Sequence, residues 1–170
     1  MRTEKVNVVP YDSKWKVEFE RIKSHLLNAL ENRVISIQHV GSTSVEGLSA
    51  KPIIDLDVVI EDYGCFPNAK SRLEKAGYYH EGDLGIKGRE AFGYTEKEEF
   101  MTHHLYVCPK DSEELKRHLA FRDYLRTHKE DREKYSEIKL QAAKMYPTDI
   151  ESYIEVKSPC IAEIYSKIGL

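Results

Sequence analysis

The hydrophobic positions change their period along the chain. Trp15, Phe19, Ile22, Leu26, Leu27 and Leu30 recur at steps of three and four. That spacing puts them on one stripe and predicts an amphipathic helix, with Asp12 or Ser13 able to cap it. Before it, residues 6–9 form a short β-branched run that stops at Pro10. After it, residues 34–40 and 53–60 read as strands, the second apolar except at Asp55 and Asp57. Residues 41–52 between them are a turn-rich connector. After Pro67 a short helix runs through Leu73 to Ala76, and Gly77 can end it in the left-handed conformation before a strand at 78–81. Residues 82–93 hold four glycines and read as a mobile loop. Residues 91–94 and 100–108 can then pair as a hairpin, with Glu96 to Glu99 as its solvated tip.

From Ser112 onward the pattern is helical. Leu115, Leu119 and Tyr124 mark one helix; Tyr135, Ile138, Ala142 and Met145 mark a second that ends at Pro147; residues 150–170 make one or two more around Pro159. The expectation is a single domain, with an α/β sheet part over residues 1–110 and a helical part over 111–170. A chain of 170 residues suits one core, and no internal repeat divides it.

Charge and composition narrow the partners. Lys and Arg number 26 against 29 Asp and Glu, a formal charge of −3. This excludes a general basic surface for duplex nucleic acid, so any anion site must be local. No apolar run approaches the roughly 20 residues that span a bilayer, so no membrane segment is expected. The charged start, Met1 to Lys5, leads into no apolar export segment, and the cytoplasm is the expected compartment. Cys65, Cys108 and Cys160 are far apart, with no CxxC pair, and read as reduced thiols, two of them buried. Tyr124, Tyr135, Tyr146 and Tyr153 lie at helical spacing and read as core or core edge.

The chemistry concentrates between residues 41 and 57. Strand residues alternate faces, so Asp55 and Asp57 project together while Ile54, Leu56 and Val58 point the other way. Two neighbouring carboxylates in an apolar strand repel each other unless a cation lies between them. Their hard oxygens suit Mg²⁺, which keeps waters and adds substrate phosphates. Gly41 and Ser42 directly follow a strand; glycine lets backbone approach a phosphate, and the hydroxyls of Ser42, Thr43 and Ser44 can cradle its oxygens. Lys51 stands between the two features as a counter-charge.

At these residues the sequence resembles the nucleotidyltransferase superfamily, whose signature is a strand, a Gly-Ser turn and a following strand bearing Asp-x-Asp. More narrowly, HVGSTSV (39–45), KPIIDLDV (51–58), HHLYV (103–107), FRDYLR (121–126) and Tyr135-x-x-x-Lys139 are similar to the GrpB family, also called UPF0157, over nearly the whole chain. The resemblance implies an α+β fold, a nucleotidyltransferase-like mixed β-sheet flanked by helices with a helical C-terminal half. It implies Gly41 and Ser42 on nucleotide phosphates and Asp55 and Asp57 on Mg²⁺, with Mn²⁺ as a substitute. The implied reaction is in-line attack of an acceptor hydroxyl on the α-phosphoryl group of a nucleoside triphosphate, with pyrophosphate leaving.

One departure stands out. Active members of the superfamily add a third carboxylate from a neighbouring strand, whereas residues 103–108 contain no Asp or Glu. His104 and Tyr106 share one face and His103, Leu105 and Val107 the other, so His104 falls at the matching position. An imidazole can act as a general base near neutral pH but adds no negative charge for a second metal. Glu81, Asp83 and Glu90 are the other acids available to it.

Plainer readings accompany these. His39 reads as a hydrogen-bonding residue at a strand end. Arg122, Arg126 and His128 read as a surface group paired with Asp123 or Glu130, with Arg122 as a triphosphate clamp the alternative. Lys139 and Lys157 match the family pattern; surface lysine is the ordinary reading and phosphate contact the other. Two functions follow: a Mg²⁺-dependent nucleotidyltransferase acting on an unidentified, small-molecule acceptor, or a catalytically impaired nucleotide-binding or regulatory module of the same fold. A third, an interaction protein with an incidental Asp-x-Asp, requires both acids to face solvent away from Ser42.

Overall fold

A computed structural model describes residues 5–170. Helix α1 (Lys14–Ala29) buries Trp15, Phe19, Ile22 and Leu26 as its stripe requires. Asp12, rather than Ser13, supplies the side-chain cap, accepting from the Lys14 amide at 2.9 Å. The strands are β1 (Ser36–Val40), β2 (Ile54–Ile60), β3 (Tyr78–Gly82), β4 (Glu90–Tyr94) and β5 (His103–Pro109). Helix α2 (Phe66–Lys75) precedes β3, and Gly77 ends it at φ 93°. The helical half comprises α3 (Glu113–Thr127), α4 (Lys129–Met145) and α5 (Ile150–Ile168).

One mixed sheet has the order β1-β2-β5-β4-β3. Strand β2 pairs antiparallel with β1 and parallel with β5, and β4 pairs antiparallel with both β5 and β3. The fold class is therefore α+β with a mixed sheet, flanking helices and a helical C-terminal half. Because β2 alternates, Ile54, Leu56, Val58 and Ile60 enter the core shared with α1 and α2, together with Leu105 and Val107 of β5. The opposite face holds Val59 and Cys108 against Leu115 of α3, and it is the face on which Asp55 and Asp57 lie. The site thus sits between the sheet and the helical half.

Two expectations need correction, and one is narrowed. The glycine-rich loop is residues 83–89 only, because Gly82 ends β3 and Gly93 lies inside β4, where sheet pairing overrides glycine's weak strand preference. Of the one or two helices expected around Pro159, the chain forms one, Ile150–Ile168, continuous through the proline. The carbonyls that its ring frees lie on an exposed face, and Ser158 Oγ donates to the Ile154 carbonyl at 2.6 Å. In α4 the buried stripe is Tyr135, Lys139 and Ala142, while Met145 is exposed. A lysine therefore occupies a core position. Among the described residues no helix is long and apolar enough to cross a membrane.

Candidate functional site

A cavity of about 310 Å³ opens over the β2–β5 floor. Parallel pairing sets Asp55 beside His104 and Asp57 beside Tyr106, so four functional side chains rise from one face. His104 Nδ1 lies 3.0 Å from Asp55 Oδ1, an ion pair when the ring is protonated. Asp57 accepts from His118 Nδ1 of α3 at 2.7 Å, and His118 Nε2 lies 3.1 Å from Glu114 Oε1 one helical turn away. His118 thus bonds Asp57 through Nδ1 and holds Nε2 within ion-pair distance of Glu114. Burial pulls its pKa down, but the Asp57 hydrogen bond, with the charges of Asp57 and Glu114, leaves it raised. Burial raises the pKa of Asp57, which is 1% exposed. His118 forms the cavity wall in front of it, so Asp55 is the acid that lines the cavity.

The rim is the turn after β1. Gly41 takes φ 74° and ψ −176°, a combination essentially reserved for glycine. The single 3-10 turn Ser42–Ser44 follows. Its hydroxyls are largely committed to the loop itself: Ser44 Oγ donates to the Gly41 carbonyl at 2.5 Å, and Thr43 Oγ1 donates to the Ile53 carbonyl at 2.9 Å. Thr43 Oγ1 has no further proton to give, so His39 Nε2, 3.0 Å away, donates to it. Burial pushes the pKa of His39 down to about 4, so this imidazole is neutral.

The facing wall is cationic. Lys51, Lys139 and Lys157 all line the cavity, with Lys51 and Lys157 over the ring of Tyr153 at 5.4 and 5.0 Å from its centroid. Lys139 is 2% exposed, and its ammonium nitrogen has no hydrogen-bond partner. Burial, then the charges of Lys157 and Lys51, push its pKa well below the usual lysine range. Burial brings Lys157 to about 8. Lys139 Nζ stands 4.4 Å from the centroid of the Tyr135 ring, and the charge of Asp55 offsets its burial only in part.

The cavity thus gathers Gly41, Ser42, Thr43, Lys51, Asp55, His104, Lys139 and Lys157. Of the expected site residues it leaves out Ser44, Asp57 and Arg122. Arg122 donates to Gln38 Oε1 at 3.0 Å and to the His39 carbonyl at 3.1 Å, and it lines a separate groove along β1. The surface reading of Lys139 is corrected as well, since α4 buries it. Asp83 accepts from the Gly85 amide, Glu90 Oε2 lies 3.5 Å from His80 Nε2, and Glu81, Asp83 and Glu90 do not line the cavity. Sequence reasoning did not find His118, Glu114 or Arg89. Glu114 and His118 carried a signal in their i,i+4 spacing, whereas Asp57 is distant along the chain.

This arrangement has relatives. The GrpB protein family pattern matches residues 5–167. The chain belongs to the GrpB family. The glutamate-rich protein GrpB of Alkalihalophilus pseudofirmus is 36% identical over 168 residues, covering 96% of this chain and 95% of that protein. The UPF0157 protein YqkA of Bacillus subtilis is 33% identical over 157 residues, of which this chain spans 45% of the length. The crystal structure of GrpB from Enterococcus faecalis matches with a TM-score of 0.83 at 32% identity, covering 95% of this chain and 96% of that one. Cid1 in complex with its short product ApU matches with a TM-score of 0.55 at 13% identity, covering 81% of this chain and 43% of that one. The GrpB fold is accordingly nucleotidyltransferase-like.

Proposed function

We propose that this GrpB chain is a divalent-cation-dependent nucleotidyltransferase that moves a nucleoside monophosphate from a nucleoside triphosphate to a small acceptor. The observation that carries the reading is Lys139, whose unpartnered, buried ammonium shares one cavity with Lys51, Lys157, the Gly41–Ser42 turn and Asp55. A polyphosphate supplies the negative charge this wall lacks, and glycine at 41 admits it close to backbone.

The donor set suits one hard ion. Asp57 Oδ1 is buried without a partner, and Asp55 keeps one oxygen beyond its contact with His104. Among the described residues no three His, Cys, Asp or Glu side chains converge as a closed metal site. Asp55 would therefore hold Mg²⁺ or Mn²⁺ together with water and substrate oxygens, joined by Asp57 only where His118 leaves its carboxylate. Such an ion supplies charge stabilisation at the transferring phosphoryl group. The chain's own part is positioning. Lys51, Lys139 and Lys157 hold the leaving phosphates, and the 41–42 turn fixes the α-phosphoryl group over Asp55. His104 Nδ1 lies against Asp55 Oδ1, and its Nε2, buried without a partner, carries the free lone pair when the ring is neutral with its proton on Nδ1. The acceptor oxygen bonds to the α-phosphorus, the bond to the bridging oxygen breaks, pyrophosphate leaves, and the hydroxyl proton passes to His104 Nε2. The cytoplasm, with its nucleotide pool and reducing conditions for three free thiols, is the fitting compartment.

Calorimetric titration with ATP, GTP, CTP and UTP, with and without Mg²⁺, tests the binding. Metal-dependent binding that Asp55→Ala removes is expected; nucleotide affinity that ignores both Mg²⁺ and Asp55→Ala overturns it. The second reading, a binding module without turnover, draws on Asp55 being the one carboxylate that lines the cavity among the described residues. Pyrophosphate release across an acceptor panel separates the two.

A further inference from the structure

The cavity is cationic at two separate places. The lysines act on one another and on Asp55, whereas Arg89 acts on Asp57, Tyr106 and His118. Arg89 ends the glycine-rich loop 83–89, just before β4, and reaches the cavity wall. Its guanidinium carbon stands 4.2 Å from the centroid of the Tyr106 ring. Its Nε is buried and has no hydrogen-bond partner among the described residues. Asp57, an acid on which Arg89 acts, already gives one oxygen to His118. A guanidinium stacked on a ring keeps its edge available, and that planar edge matches the two oxygens of a carboxylate or phosphate.

We propose that Arg89 recognises the acceptor, and that the acceptor is a small hydroxy compound bearing an oxyanion, a carboxylate or a phosphate monoester. The inference rests on the nucleotidyl-transfer reading, which assigns the lysine wall to the triphosphate and leaves Arg89, stacked on Tyr106 beside the Asp57 register position, for the second substrate. The oxyanion lies on the guanidinium edge and the hydroxyl is turned toward Asp55 and His104. A cavity of about 310 Å³ is at the lower end of ligand-pocket sizes, which keeps the acceptor small.

The test uses the full chain, saturated with Mg²⁺ and a non-hydrolysable ATP analogue, titrated with glycerol 3-phosphate, glycerate and glycerol. The phosphate arm, the carboxylate arm or both bind, and neutral glycerol does not. Arg89→Gln weakens the binding anion at least tenfold and leaves the analogue's affinity within twofold, which also shows that the variant is folded. Arg89→Lys, which keeps charge and loses the planar fork, falls between. Glycerol binding as tightly as the anions overturns the proposal. So does anion affinity indifferent to Arg89→Gln, or an equal loss of analogue and anion, which would place Arg89 on the triphosphate. If the wild-type chain takes no nucleotide analogue but still binds an anion through Arg89, nucleotidyl transfer fails while the oxyanion site stands.

Discussion

Gly41 and Asp55 compete for one space: a Cβ added to Gly41 would stand 2.2 Å from Asp55 Oδ2. The rim of the cavity and its acid therefore come together only because position 41 has no side chain. Gly41→Ala must move the turn or the carboxylate, and it also forces alanine into a glycine-only backbone region. A stability loss of about 1–3 kcal/mol is expected, together with a tenfold or greater loss of Mg²⁺-dependent nucleotide affinity. Urea melts and calorimetric titration measure the two; unchanged affinity would show that the turn and Asp55 do not share a ligand.

The placement of Asp55 and Asp57 is legible in the sequence because β2 combines a long apolar run with strict alternation, which fixes both the strand and the face its acids share. The Gly41–Ser42 turn is legible for a similar local reason. Lys139 reads as surface because helical periodicity assigns a stripe from hydrophobic residues, and the stripe of α4 includes a lysine that only its cavity neighbours explain. His118 escapes a sequence reading because its partner Asp57 comes from another element, brought near by the packing of α3 on the sheet. Arg89 is hidden for the same reason, at the end of a loop whose glycines disclose flexibility and not direction.

Thr43 lines the cavity, yet its hydroxyl is spent on the loop, between the Ile53 carbonyl and His39. Thr43→Val keeps the shape and leaves those two buried groups unmatched, at an expected stability loss of about 1–3 kcal/mol. Thr43→Ser keeps the hydroxyl and loses less. Nucleotide affinity of both folded variants stays within threefold of wild type. A selective loss of affinity in Thr43→Val, with stability intact, would instead put the hydroxyl on a phosphate.

His39 gives the fold an acid limit. Its folded pKa, about 4, lies below the ordinary 6.5 because burial disfavours the charged ring. Between those values the unfolded chain binds a proton that the folded chain does not, so stability falls as pH drops from 6.5 toward 4. The full effect is about 3 kcal/mol, because each pH step between the folded and unfolded values is worth about 1.4 kcal/mol. His39→Gln removes this dependence even if it lowers stability at pH 7. Denaturant melts at several pH values give the slope; equal slopes for the two proteins would show that His39 is not the group responsible.

Lys139 sets binding against stability in one residue. Burial depresses its pKa well below the usual lysine value, so at any pH between the two the unfolded chain holds a proton that the folded chain resists. Stability therefore rises as pH rises toward the ordinary lysine value. Lys139→Met fills a similar volume without a charge to desolvate. At pH 7 it is expected to stabilise the chain by about 1–4 kcal/mol, the range seen when buried charge gives way to apolar packing. The advantage shrinks as pH rises, because the wild-type penalty fades. The same change strips the cavity of its unpartnered cation, so affinity for ATP and for inorganic tripolyphosphate falls at least tenfold. A residue retained for packing alone would show neither the gain in stability nor the loss of anion binding, and Lys139→Met melting below wild type with anion affinity intact would reduce Lys139 to a structural side chain.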